Sequence, residues 1–248
     1  MTTLVLLFLA SIWAGAQNAL AGGGSFVTFP ALLLAGLDVR AANITSTVAL
    51  FPSQTVSGFA TQALATGAPG VRLRWLCAAS LVGGAIGAAL LLLTPVSAFS
   101  RLVPWLVLFA TAVFAWGSFG RKPGAGALRL GPAATLGAQA LIAVYGGYFG
   151  GGIGFMMIAT LTVLGVAVRA ASASKNILAA MINAAAVLVF ALSPDVHWLP
   201  AAVVCAGSIL GGLGGSWMLA RVPETVLRAG MVVIGLALTV ALFVRQSV

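Results

Sequence analysis

The stretch GGGSFVTFPALLLAGLDVRAA, residues 22–42, returns 129 positions later as GGIGFMMIATLTVLGVAVRAA, residues 151–171. Nine of the 21 positions are identical: Gly22/Gly151, Gly23/Gly152, Phe26/Phe155, Leu32/Leu161, Gly36/Gly165, Val39/Val168, Arg40/Arg169, Ala41/Ala170 and Ala42/Ala171. Chance in so apolar a chain would give about two. The repeated unit is a glycine break, a short apolar segment and then an arginine. The chain therefore reads as two copies of one plan, with residues 1–120 and 133–248 as the halves and 121–132 as a basic linker.

Composition places both copies in a bilayer. Hydrophobic residues make up 61% of the chain and charged residues only 6%, against about a quarter charged in soluble domains. Trp75–Leu93, Leu102–Phe119, Leu199–Ala220 and Val226–Val244 each approach or reach the roughly 20 apolar residues that a crossing requires. The expected fold class is all-α, a polytopic transmembrane helix bundle of 8–10 spans in two inverted repeats of five segments, one of them short and broken. The net charge of +9 is dispersed, which fits loop cations that set topology rather than a nucleic-acid surface. The N-terminal MTTLVLLFLASIWAGAQ has no positive leader and reads as a retained first helix.

Apolar segments fall near 4–20, 26–37, 42–66, 75–93, 102–119, 133–149, 154–168, 173–193, 199–220 and 226–244. Those at 26–37 and 154–168 are too short for plain spanning helices: twelve residues rise about 18 Å, against a hydrocarbon core of about 30 Å. Charge discriminates between crossing and re-entry. If they cross, Arg72, Arg74, Arg121, Lys122, Arg129, Arg169, Lys175, Arg221 and Arg228 share one face, and Arg40, Arg101 and Arg245 the other. If they re-enter, the count becomes six against six and the positive-inside signal vanishes. Ten spans are favoured, with the linker cytoplasmic and both termini outside. An odd number per half makes the repeats inverted, a transporter arrangement with two mirror-related gates.

Irregular backbone inside a bilayer is tolerated only where it is buried in protein or lines a wet cavity. Gly22, Gly23, Gly24 and Ser25, and in the second copy Gly150, Gly151, Gly152 and Gly154, open the two short helices. Helix N-termini present free N–H groups and a positive dipole end, so two converging ends favour a small anion. After each arginine comes a polar run: Asn43, Thr45, Ser46 and Thr47 align with Ser172, Ser174, Lys175 and Asn176, and Gln54 aligns with Asn183. The expected site takes hydrogen bonds from Thr45, Ser46, Thr47, Ser174 and Asn176, charge from Lys175, and a path lined by Gln54 and Asn183. Arg40 and Arg169 are candidates for gates or for interfacial anchors. Gly83/Gly87 and Gly207/Gly211/Gly215 fit helix packing through small residues.

Other chemistries find little support. His197 is the single histidine, and Cys77 and Cys205 sit inside apolar helices, which gives no metal site, no cofactor site and no catalytic constellation. Asp38, Asp195 and Glu224 are the three carboxylates, all in loops or at segment ends. No mid-span acid is present to couple protons or sodium. An anion leaving a cell with a negative interior gains about 2.3 kcal/mol per 100 mV, roughly fifty-fold in concentration, without a coupling ion. That favours export over uptake.

The run GGGSFVTFPALLLAGLDVRAANITSTVAL resembles the signature of the TauE/SafE sulfite exporter family. Gly22–Gly24, Pro30, and Ala42 with Thr45–Thr47 stand at the family's glycine, proline and Ala-x-(Gly)-Thr-Ser positions; Gly150–Gly152, Ala171, Ser174, Lys175 and Asn176 stand there in the second copy. Asn43–Ile44 replaces the common glycine, and Ser174–Lys175 replaces the second Thr-Ser. The resemblance implies a bacterial inner-membrane secondary transporter that moves sulfite, sulfoacetate or a related organosulfonate outward. It leaves room for a homodimer. An importer, an anion channel and a non-transporting subunit stand as alternatives.

Overall fold

A computed structural model describes residues 2–20, 23–119, 130–219 and 224–246. Gly22 and most of the basic linker, including Arg121, Lys122 and Arg129, lie outside the described residues. The described chain forms ten α-helices: α1 (Thr2–Leu20), α2 (Ser25–Leu34), α3 (Val39–Thr61), α4 (Leu73–Leu93), α5 (Val96–Phe119), α6 (Pro132–Tyr148), α7 (Ile153–Val163), α8 (Val168–Phe190), α9 (Trp198–Leu219) and α10 (Glu224–Gln246). No strand occurs among the described residues. Each half repeats one order, with the second helix the short one.

The repeated residues have identifiable work. Gly36 and Gly165 end the short helices at φ 96° and 93°, a left-handed conformation that a Cβ disfavours. In each case the next amide reaches back five residues, Leu37 N–H to the Leu32 carbonyl (3.2 Å) and Val166 N–H to Leu161 (3.0 Å), closing a Schellman motif. Phe26 and Phe155 both pack edge-on against Phe114 of α5. Asp38 caps α3 by accepting from the amides of Arg40 (2.9 Å) and Ala41 (3.1 Å), whereas its counterpart Ala167 gives α8 no side-chain cap.

Hydrogen bonds fix the direction of the two central helices. Thr45, early in α3, accepts from the His197 amide (3.1 Å) and donates to the Asp195 carbonyl (3.4 Å), both beyond the end of α8. Gln54 meets Asn183, and Thr66 meets Ser174 near the start of α8. Partner numbers fall as α3 numbers rise, so α3 and α8 run antiparallel. Adding 129 turns Gln54 into Asn183 and Thr45 into Ser174, while subtracting it turns Asp195 into Thr66. The Gln54–Asn183 bond therefore sits on a pseudo-two-fold axis.

Close glycine contacts extend the pattern. α9 starts beside Thr45 and passes Ser53, whose Oγ donates to the Ser208 carbonyl (3.1 Å), so α9 runs parallel to α3. Gly207 lies on Phe8 and Gly211 on Ile12, making α1 parallel to α9 and hence to α3. Gly83 lies on Ala140 and Gly87 on Val144, so α6 and α4 are related in the same way. Since α1 and α3 point the same way, α2 and its flanking backbone carry the chain back across the bundle. The short segments return the chain rather than turning back on one side. By these contacts Gly83 corresponds to Gly207, a spacing of 124 where α3 and α8 keep 129. The α3–α4 connection (62–72) is four residues longer than the α8–α9 connection (191–197). Both cysteines are free and half-buried.

Burial is inverted relative to a soluble protein. Trp75, Leu93, Trp105, Trp116, Leu213 and Val233 are exposed on the outer helices, while Asn43, Thr45, Ser46, Gln54, Lys175, Asn176 and Asn183 are buried in α3 and α8. Among the described residues three helices are long and apolar enough to cross a bilayer by composition: Leu73–Leu93, Val96–Trp116 and Val168–Phe190. α3 lacks that signature because its polar residues face other helices instead of lipid.

Candidate functional site

The two glycine breaks meet. A cavity of about 20 Å³ lies between them, lined by Gly23 and Ser25 from the first break and by Gly150, Ile153 and Gly154 from the second. Asn18 of α1, Gln54 and Ser57 of α3, and Lys175, Asn176 and Ala179 of α8 complete the wall. This volume admits about one water molecule, so the cavity is closed down in this conformation. Gly23 and Gly152 hold φ at 86° and 78°, which lets the chain turn sharply into each short helix. The Ile153, Gly154 and Ser25 amides have no acceptor among the described residues, as expected of a helix's first turn.

Lys175 supplies the cavity's charge. Its side chain reaches across the halves from α8, and Nζ donates to the Asn18 carbonyl at 3.2 Å. The residue is only 2% exposed. Asn18 in turn accepts from the Gly24 amide through Oδ1 (3.5 Å), and Gln17 Nε2 donates to the Gly23 carbonyl (3.3 Å). The last turn of α1 thus ties the first break to the lysine. Asn183 Nδ2 donates to Gln54 Oε1, which aligns the Gln54 amide at the cavity wall. Asn176 Nδ2 donates to Thr61 Oγ1 (3.3 Å).

Of the residues expected at the site, Gly23, Ser25, Gln54, Gly150, Gly154, Lys175 and Asn176 line this cavity, and Asn183 stands directly behind it. Others stand apart. Thr45 is engaged with Asp195 and His197; Ser174 both donates to the Thr66 carbonyl (2.7 Å) and accepts from its amide (2.9 Å). Ser46 pairs with Thr28 (2.6 Å), and Thr47 bonds back to the Asn43 carbonyl (3.0 Å). The hydroxyls of Thr45, Ser46 and Ser174 tie elements together, and that of Thr47 is engaged within α3 itself. Gly24 packs on Ala14 and Asn18, Gly152 on Ala110, and Gly151 borders a separate, mainly apolar void with Phe26, Phe29 and Phe149. Asn18 and Ser57 were missed, although Gln17–Asn18 just before the glycine run is itself a polar pair in an apolar segment.

The two arginines differ. Arg40 forms an ion pair with Asp195 (Nη2–Oδ2 2.9 Å) and donates to the Thr94 carbonyl (3.4 Å), joining the start of α3 to the α8–α9 loop of the other half. Arg169 is exposed and has no ion pair among the described residues. The model for the family described as "Sulfite exporter TauE/SafE" matches residues 7–242. The chain belongs to this family. TauE/SafE membership covers both repeats and all the cavity residues above. Among curated relatives, a "Probable membrane transporter protein" of Haemophilus influenzae is 28% identical, covering 98% of this chain and 96% of that protein. A "Probable membrane transporter protein ORF9" of a Sinorhizobium species is 30% identical over 96% of this chain and 92% of its own length. "Probable membrane transporter protein YfcA" of Escherichia coli K12 is 26% identical, with 96% and 89% covered. No solved structure matches. The protein is thus a multi-pass membrane transporter of the TauE/SafE family.

Proposed function

We propose that this transporter exports a small sulfur-containing anion, such as sulfite or an organosulfonate, from the bacterial cytoplasm by alternating access. It is read as a carrier and not an enzyme. The observation that carries this reading is the meeting of both breaks at a cavity where, among the described lining residues, Lys175 is the one charged side chain, and it is buried. Sulfur oxyanions are strong acceptors for ammonium, amide and backbone N–H donors. Lys175 and the first-turn amides of α2 and α7 would hold the charged oxygens, with Asn176 and Gln54 as neutral donors.

The asymmetry of the contacts supports the direction. Taking the basic linker as cytoplasmic puts the start of α6 there. The start of α8 follows, because α6 and α8 run in the same direction. Lys175 then lies on the cytoplasmic side of the Gln54–Asn183 pair, and the Arg40–Asp195 ion pair closes the periplasmic side. Expulsion of an anion down the membrane potential needs no coupling ion, consistent with a cavity free of carboxylates among its lining residues.

Proteoliposomes loaded with sulfite or sulfoacetate test this reading. An inside-negative potential should drive efflux in liposomes containing the protein and not in empty ones. Efflux driven by a pH gradient and indifferent to voltage would contradict it.

A further inference from the structure

We infer that the cavity selects its anion by charge number, taking a compact monoanion and discriminating against a dianion of the same shape, and that Lys175 sets this limit. The inference rests on the anion-carrier reading above and goes beyond it by fixing the charge of the cargo. Lys175 is the one charged residue among those that line the cavity. Its partner is a neutral carbonyl, Asn18 O, so two of its three N–H donors have no acceptor among the described residues. Gln54 is 9% exposed, and its amide nitrogen likewise has no acceptor among them.

Counting charge around the site among the described residues gives one. Asp195 and Arg40 neutralise each other at the far end of α3, and Arg40 lies fourteen residues from Gln54, about 21 Å along a helix. Asp38 is engaged in capping α3 at that same end. Arg169 lies six residues before Lys175, about 9 Å along α8, and is exposed, where water screens it. A monoanion against Lys175 makes a neutral pair, the arrangement that a desolvated site tolerates. A dianion would leave one negative charge buried without a partner, the costly case. The remaining donors, Asn176, Ser57 and backbone amides, are neutral and serve either anion alike.

Titration calorimetry on the full-length protein in lipid nanodiscs, with methanesulfonate and sulfate as probes at equal ionic strength, tests this. Both are tetrahedral sulfur oxyanions of similar size, and they differ in charge. Methanesulfonate should bind at least tenfold more tightly than sulfate. An Asn176→Lys variant, which adds a second cation to the wall, should narrow the gap to threefold or less; a variant that fails to fold leaves the wild-type comparison decisive. Sulfate binding as tightly as methanesulfonate would overturn the charge rule while leaving the anion-site reading intact. Failure of both probes, and of sulfite, to bind would overturn both.

Discussion

The two halves share a scaffold and differ in what they place on it. At one repeat position the first half has Ser46, its hydroxyl paired with Thr28 of α2. The second half has Lys175 there and Met157 in place of Thr28, so the lysine has no local partner and crosses to Asn18. At another position both halves carry an arginine, yet Arg40 is ion-paired and Arg169 is exposed. Duplication thus supplied the break, the short helix and the antiparallel α3–α8 pair in duplicate. Divergence at a few side chains left one charged cavity instead of two and closed the two ends by different chemistry.

The largest expected effect of breaking that asymmetry is at Lys175. Lys175→Met should lower anion affinity by roughly 100-fold, the loss of a charge-assisted hydrogen bond of up to about 3 kcal/mol, read by titration. Ser46→Ala at the mate position should leave binding within about twofold and cost about 1 kcal/mol of stability from the lost Thr28 bond. Equal effects of the two substitutions would dissolve the contrast. Next in size, Gly36→Ala and Gly165→Ala should each destabilise by about 1–2 kcal/mol, because both require a left-handed residue. Here the halves should behave alike, as measured by thermal unfolding in detergent. A large difference would show that the scaffold itself has diverged.

Smaller again is the effect at the ends. Asp195→Asn should raise labelling of a cysteine placed at Thr94 a few-fold, since a partly buried ion pair contributes about 1 kcal/mol. Arg169→Gln should leave labelling at the opposite end unchanged. A symmetric response of the two ends would remove the distinction between a charged and a neutral closure.

The scaffold was legible because glycine and hydrophobic length are local signals. Gly36 and Gly165 recur for their backbone conformation, and the short apolar segments recur between them. Charge bias in the loops favoured ten crossings, and the parallel course of α1 and α3 agrees with it. The polar runs were harder to read. Thr45, Ser46, Thr47 and Ser174 lie on α3 and α8 like Gln54 and Lys175, and sequence spacing does not reveal which hydroxyls a neighbouring helix has already engaged. Asn18 escaped because its role depends on the end of α1 meeting α8, 157 residues away.

The central claim is that both breaks serve one anion site organised by Lys175. A structure of the protein with 2-bromoethanesulfonate, using the bromine's anomalous signal to place the ligand, tests it most directly. The sulfonate is expected between Lys175, Gln54 and the first turns of α2 and α7, with the cavity enlarged around it. A sulfonate bound beside Ser46 and Thr47, or at the exposed Arg169 with the cavity still closed, would contradict it.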